Sequence, residues 1–331
     1  MGSLKASVVI SVRNRSVMLA DCLRGLGLQS LDRKRFEVVV IDNCSTEDLR
    51  PVVEAAREAY GLNIRYDRTA QDRGPAPARN LGVSLAQGEV IAFTDSDCRP
   101  VPQWLELALA PFADERLAMV SGPVLPKPEQ SARFTSKTSF VTQVEHPTFP
   151  TANLLVRTSV FRALQGFDTS LSFRDPLDRA TECADTDLAW RIIKAGHMRQ
   201  FVPEAVMHHE LEDQSLLLWM LEPTRLFLLP ALVSRHPELR TALLKGGLFF
   251  FPPGVMVYAG LLAVGAMIWL APTLLWLLPT ALILRAVQRT GSLQPGVLAG
   301  FCLKAPLHVA RLMVMNVALL YGSLRFRCLV L

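Results

Sequence analysis

The sequence predicts an α/β fold: a mostly parallel central sheet with helices on both faces, followed by a C-terminal α-helical membrane region. Short β-branched runs alternate with amphipathic stretches through the first hundred residues, as repeated strand–helix units do. Two of those runs end in acidic or amide residues, where sheets of this kind bind ligands. Further on, residues 248–284 form a run of 37 without one charged side chain.

Ser7–Val12 (SVVISV) is a β-branched run suited to a strand buried on both faces. Leu19, Cys22, Leu23 and Leu26 then recur at i, i+3, i+4 and i+7, the spacing of one helical face. Phe36–Ile41 (FEVVVI) is a second buried strand, ending at Asp42-Asn43. Thr46 to about Tyr60 reads as a helix, with Ser45 or Thr46 as its cap. Asn63–Tyr66 is a weaker strand, and Pro75–Leu85 a helix with proline near its start. Val90–Phe93 (VIAF) is a further strand, closed by Thr94-Asp95-Ser96-Asp97.

Charge divides the chain. Residues 1–213 carry 25 Lys/Arg against 28 Asp/Glu, whereas residues 214–331 carry 10 against 2. The sequence pI of about 9.0 is therefore a property of the last third. A basic, apolar segment points to an anionic membrane surface, and no aromatic-interleaved basic patch or other motif points to nucleic acid. The six cysteines have no CxxC or other ligand spacing, and the N-terminus has a lone Lys5 before its first strand rather than a signal-peptide pattern. These features predict reduced thiols and a cytosolic first two-thirds.

Three regions follow: a catalytic domain over 1–213, an amphipathic connector over 214–247 and a membrane region over 248–331. As one helix, 248–284 would be about 55 Å long, well beyond a hydrocarbon core of about 30 Å. Pro272 near its middle suggests a hairpin of two spans. Arg240 and Lys245 precede it and Arg285 and Arg289 follow, so both ends favour the cytoplasm. A buried helical pair is the alternative. Lys304, His308 and Arg311 form one stripe on a helix over about 296–324, either lying in the interface or crossing as a third span that pairs its charges internally.

Chemistry concentrates at Asp95-Ser96-Asp97, directly after a buried strand and 53 residues beyond Asp42 at a matching strand end. Two carboxylates on a turn can hold Mg²⁺ or Mn²⁺ while diphosphate oxygens and water complete the shell. Acidic turns elsewhere are usually only solvated. Asp42 could accept from a nucleobase or ribose, or cap the helix that follows. Arg79 could bind diphosphate or hold an acidic site residue. Asp185 opens an amphipathic helix, as a plain N-terminal charge or as the general base for an acceptor hydroxyl. His208-His209 follows Pro203-Glu204-Ala205; one of the pair could complete a metal site or contact phosphate, though tandem loop histidines are often simply exposed.

The segments SVVISVRNR, VVVIDNCSTED and GPAPARNLGVSLAQGEVIAFTDSDCRPVPQWL resemble the N-terminal half of a family 2 glycosyltransferase of the Rossmann-like GT-A fold. TANLLVRTSVFRALQGFD and ADTDLAWRIIKAGH resemble its acceptor-side half, so the likeness covers roughly residues 6–210. It implies donor binding by Val12, Arg13, Asp42, Asn43, Arg79, Asp95 and Ser96, and metal binding by Asp95 and Asp97, with Asp97 favoured as direct ligand. It places Asp185 as base, His209 beside the diphosphate or metal, and Asn153 and Trp190 on the acceptor side.

The implied reaction is inverting transfer of one sugar from a UDP-, GDP- or dTDP-sugar to a membrane-associated or lipid-linked acceptor. It would occur at the cytoplasmic face of the cell (inner) membrane, in contact with membrane lipids. Three departures stand out. The family's usual second Asp after the second strand reads Asn43, a variant that could alter base or sugar selection. The family's Glu-Asp pair reads Ala184-Asp185, with Glu182 slightly earlier, and no QxxRW segment of processive synthases follows His209. Rival readings are a catalytically silent membrane-docked module of the same fold and a sugar-phosphate nucleotidyltransferase. The second would want a glycine-rich loop that SVRNRSV lacks.

Overall fold

The computed structural model describes residues 4–138, 141–174, 180–250, 252–270, 277–291 and 294–331. The chain folds as two compact units, Met1–Gln214 and Ser215–Leu331.

In the first unit, strands β1 (Ala6–Val12), β2 (Phe36–Asp42), β3 (Ile64–Arg68) and β4 (Val90–Asp95) are joined by helices α1 (Ser16–Gly27), α2 (Arg50–Tyr60) and α3 (Pro75–Leu85). β5 (Cys98–Pro100), α4 (Trp104–Leu109), β6 (Leu117–Ser121), β7 (Val124–Pro126) and β8 (Leu154–Arg157) follow. The unit is completed by α5 (Thr158–Ala163), β9 (Ser172–Arg174), β10 (Ala180–Glu182), α6 (Ala184–Lys194), β11 (Met198–Phe201) and β12 (Met207–His209).

The main sheet has the order β11-β6-β8-β4-β1-β2-β3. Its pairs are parallel except those of β8, which runs antiparallel to both β4 and β6. β1 and β2 are buried almost throughout because helices cover both sheet faces, which explains their unbroken β-branched runs. At about 1.5–3 kcal/mol per buried Val, Ile or Phe, these central strands dominate the stability of the unit. Phe93 of β4 packs with Phe161 and Phe167 at centroid distances of 5.5 and 5.0 Å, holding α5 and the turn after it against the sheet.

A second, small sheet decides the site. Its order is β5-β12-β7, with β12 antiparallel to β5 and in the register His209↔Cys98. The histidines are therefore on a strand, not on a loop, because β12 pairs with β5, the strand that follows the acidic turn.

One helix boundary also differs from expectation. α2 begins at Arg50, and neither Ser45 nor Thr46 caps it. Residues 43–48 instead form a loop tied back to the end of β1. Asn14 Oδ1 accepts from the Thr46 N–H at 2.7 Å, and the Asn14 N–H donates to Ser45 Oγ at 3.0 Å.

The second unit is helical: α7 (Leu216–Leu221), a 3₁₀ turn over Glu222–Leu228, α8 (Leu229–Arg235), α9 (Leu239–Leu243), α10 (Pro252–Leu270), α11 (Leu277–Thr290) and α12 (Pro295–Phe326). The stretches Leu216–Arg235 and Cys302–Phe326 are long and apolar enough to cross a membrane. Half of the first is buried within the protein, as a core helix would be. α10 and α11 fall on either side of the turn expected at Pro272 in the 248–284 hairpin, but that turn lies outside the described residues. Arg311 on α12 pairs with Glu222 at 2.7 Å, so one member of the basic stripe is internally paired.

Candidate active site

β4 ends at Asp95, the chain turns through Ser96 and Asp97, and β5 starts at Cys98. Because β12 pairs with β5, His209 lies against this turn. Ligand atoms of Asp95, Asp97, Cys98 and His209 all fall within 4.8 Å of one another. His209 Nδ1 is 2.8 Å from the Glu210 carbonyl, an acceptor only, so Nδ1 donates there and Nε2 lies 3.5 Å from Asp97 Oδ1.

Burial, together with the Asp97 and Asp95 carboxylates, pushes the Cys98 thiol well above its ordinary range. Two carboxylates and one imidazole beside it suit a hard or borderline divalent cation such as Mg²⁺ or Mn²⁺.

Two arginines organise the acids. Arg79, 6% exposed on α3, reaches Asp95 Oδ1 at 2.7 Å with one nitrogen and Glu182 Oε1 with the other. Burial opposes ionisation of Asp95, but Arg79, then His209 and Arg15, hold its carboxyl below the usual carboxylate range. Arg15, directly before α1, pairs with Asp97 Oδ2 and with Glu212 Oε1, the latter at 2.7 Å. It thereby leaves Oδ1 turned toward His209.

The donor side lies at the carboxyl ends of β1, β2 and β3. Asp42 is fully buried, accepting the Ser45 N–H at 2.7 Å and the Tyr66 hydroxyl at 2.9 Å. Its side chain shapes the 43–46 loop, in the manner of a local cap. Burial and this bond to Asp42 push the Tyr66 phenol up to about 12. The Val12 carbonyl accepts the Asn43 N–H at 2.8 Å. Asp72 gathers Arg13 at 2.6 Å, Asn43 Nδ2 at 2.8 Å and the Gly74 N–H at 3.0 Å. Asn14 and Cys44 both have positive φ, 52° and 58°, in the two loops that meet here. Left-handed non-glycine residues are uncommon and tend to gather at functional sites.

On the other side of Arg79, Glu182 also accepts the Ala76 N–H at 2.8 Å, which ties β10 to the start of α3. Asp185, in the first turn of α6, is half-buried and accepts the Thr186 N–H at 2.8 Å. Burial first, and the Glu182 carboxylate second, push its carboxyl up to about 7. A carboxylate with that affinity is matched to taking a proton near neutral pH.

The structure gathers Arg79, Asp95, Ser96, Asp97 and His209 around the acidic turn, with Val12, Arg13, Asp42 and Asn43 at the neighbouring strand ends. Asn153 is placed differently. It is 1% exposed, and its amide is engaged with Trp104 Nε1, the Pro123 carbonyl and the Ala205 carbonyl at 2.8–2.9 Å. It therefore braces strand ends rather than presenting a group at a surface. Trp190 donates Nε1–H to the Pro147 carbonyl at 2.9 Å and keeps part of its ring accessible. Sequence reasoning missed Arg15, Asp72 and Glu212. Each lies in a loop where no hydrophobic period or motif marks it, and only the fold brings it to a partner.

Residues 7–167 match the family model described as glycosyl transferase family 2. Over 118 residues, 36% of the chain, it is 30% identical to glycosyltransferase AglE of Haloferax volcanii. Over 224 residues, 63% of the chain, it is 30% identical to the pre-mycofactocin glycosyltransferase of Mycobacterium tuberculosis. The chain spans 38% and 43% of the lengths of these two relatives. Its fold resembles that of the mannosyltransferase PcManGT from Pyrobaculum calidifontis, solved with GDP-Man and Mn²⁺. That likeness has a TM-score of 0.59 and 22% identity, and covers 99% of this chain and 88% of that one. The chain carries a family 2 glycosyltransferase domain with the GT-A fold.

Proposed function

We propose that this family 2 glycosyltransferase domain moves a single sugar, with inversion, from a nucleoside-diphosphate sugar to an acceptor held at a membrane. The observation that carries the reading is the Arg79 bridge. One guanidinium ties Asp95 of the acidic turn to Glu182, three residues before Asp185, so cation ligands and a base of raised pKa belong to one connected site.

The nucleotide rests at the strand ends formed by Val12, Arg13, Asp42 and Asn43, with Arg13 and Asn43 held in place by Asp72. Asp95, Asp97 and His209 would hold Mg²⁺ or Mn²⁺, which would supply positive charge to neutralise the departing diphosphate. Asp185 takes the proton of the acceptor hydroxyl as its oxygen bonds to the anomeric carbon. The bond from that carbon to the diphosphate oxygen breaks in the same displacement, and nucleoside diphosphate leaves. The apolar, basic C-terminal unit keeps the domain at the cytoplasmic face of the cell membrane, near a lipid-linked or otherwise membrane-bound acceptor. Lack of a QxxRW segment after His209 favours single transfer over polymerisation.

The test is a donor screen on detergent-solubilised protein with Mn²⁺, following nucleoside diphosphate release from UDP-, GDP- and dTDP-sugars, with Asp97→Ala alongside. Release from one donor that Asp97→Ala and chelator abolish is the expected result. Neither release nor metal-dependent donor binding would point instead to a silent module of the same fold. Pyrophosphate as product would mean nucleotidyl transfer.

A further inference from the structure

The C-terminal unit contains a polar cluster that sugar transfer does not use. Glu222 is 7% exposed, and both its carboxylate oxygens are taken by guanidinium groups. Arg225 reaches Oε1 at 2.6 Å and Arg311 reaches Oε2 at 2.7 Å. Arg311 also lies 4.6 Å from the centroid of the Trp219 ring, and the His308 ring meets the same indole edge-on at 5.4 Å. Lys304, His308 and Arg311 occupy one stripe of α12, with Lys304 and His308 exposed.

Pairing alone does not account for this arrangement. A buried carboxylate needs a cation, and one guanidinium would serve. Here two guanidiniums share a single carboxylate, and Glu238 is the sole other acidic residue among 215–331. In addition, Nη1 of Arg311 is buried without an acceptor among the described residues, although the side chain as a whole keeps 23% of its surface exposed. The flanks are apolar and outward-facing: Leu217 and Leu218 directly precede Trp219, while Leu303 and Val309 adjoin Lys304 and His308, and all four are exposed. Such a border suits acyl chains better than a soluble anion.

We propose that Arg225, Lys304, His308 and Arg311 bind the phosphate headgroup of an anionic membrane lipid, with Glu222 and Trp219 holding the Arg311 guanidinium in position. The planar fork of arginine matches phosphate oxygens, lysine adds a point charge, and the indole face orients the guanidinium plane. The site rests on the C-terminal unit alone and does not depend on the proposed transfer reaction.

Native mass spectrometry of the full chain in detergent, titrated with phosphatidylglycerol or phosphatidylcholine, tests it. Wild type should retain phosphatidylglycerol preferentially. Lys304→Gln should weaken that binding about fivefold, the usual effect of one cation near a lipid surface. Arg311→Lys, which keeps the charge and loses the fork, should weaken it as well. Should Arg311→Lys unfold, Lys304→Gln still decides, because Lys304 is exposed and its loss leaves both Glu222 pairs intact. Equal retention of the two lipids, or unchanged preference in Lys304→Gln, overturns the site. So does an equal loss in Arg285→Gln, which removes an exposed cation from α11 and would reveal diffuse attraction. Displacement of phosphatidylglycerol by inorganic phosphate would overturn the lipid assignment.

Discussion

At the residue scale, Asp185 makes two quantities move in opposite directions with pH. Its carboxyl is raised to about 7 in the fold, above the ordinary aspartate value of 3.8. The protonated form is thus favoured by folding, and the stability it contributes is present below 3.8 and lost as pH rises through 7. A base must be deprotonated, so activity should rise over the same interval. We expect kcat/KM to climb with an apparent pKa near 7, measured across pH 5–9 at saturating metal, which would sit oddly with a plain helix-start charge. Asp185→Asn should cost about 10²–10⁴-fold in turnover, the usual worth of a positioned base. It should leave the melting temperature at pH 8 equal or higher, because the variant no longer buries a charge. Near-full turnover in Asp185→Asn would remove the residue from the mechanism; a collapsed melting temperature would make its role structural. The partners of this aspartate were only partly legible in the chain. Glu182 was visible as a displaced neighbour, but its capture by Arg79, 103 residues earlier, is a tertiary fact.

At the scale of elements, the first unit depends on how closely α3 and the turn after it approach β1. A Cβ on Gly88 would stand 2.3 Å from the Ala6 carbonyl carbon and 2.4 Å from the Ser7 nitrogen, both backbone atoms of a central strand. The Gly88 N–H also donates to Ser7 Oγ at 2.8 Å, and its carbonyl accepts from Thr158 Oγ1 at 2.7 Å. Gly88→Ala should therefore destabilise by about 1–3 kcal/mol through overpacking that backbone cannot relieve. Urea titration reads this directly, and an unchanged midpoint would mean that the turn has room to move. The strands and helices flanking this turn were readable from period and proline placement, because their signals lie within a few residues. The start of α2 was not. Asn14 and the 43–48 loop share hydrogen bonds across 31 or 32 positions, and those bonds outweigh the local capping preference of Ser45 or Thr46.

At the scale of the whole molecule, two units with different composition predict separable behaviour. A chain ending at Gln214 should remain in the aqueous phase of a detergent partition and still bind its donor with metal, while the full chain enters the detergent phase. A full chain that stays aqueous would remove the membrane from the proposal. Loss of donor binding in the shorter chain would mean that the C-terminal unit is needed to form the site. The sequence by itself determined the order and type of most elements, the fold class and the acidic turn, since these follow from hydrophobic period, turn residues and charge count over short windows. The tertiary structure decided what surrounds that turn. Asp97 and His209 are 112 residues apart, and they meet only because β12 pairs with β5 in one register. Arg15 finds Asp97 and Glu212, and Arg79 finds Asp95 and Glu182, for the same reason: pairing between distant strands is set by global packing, of which local sequence carries no trace.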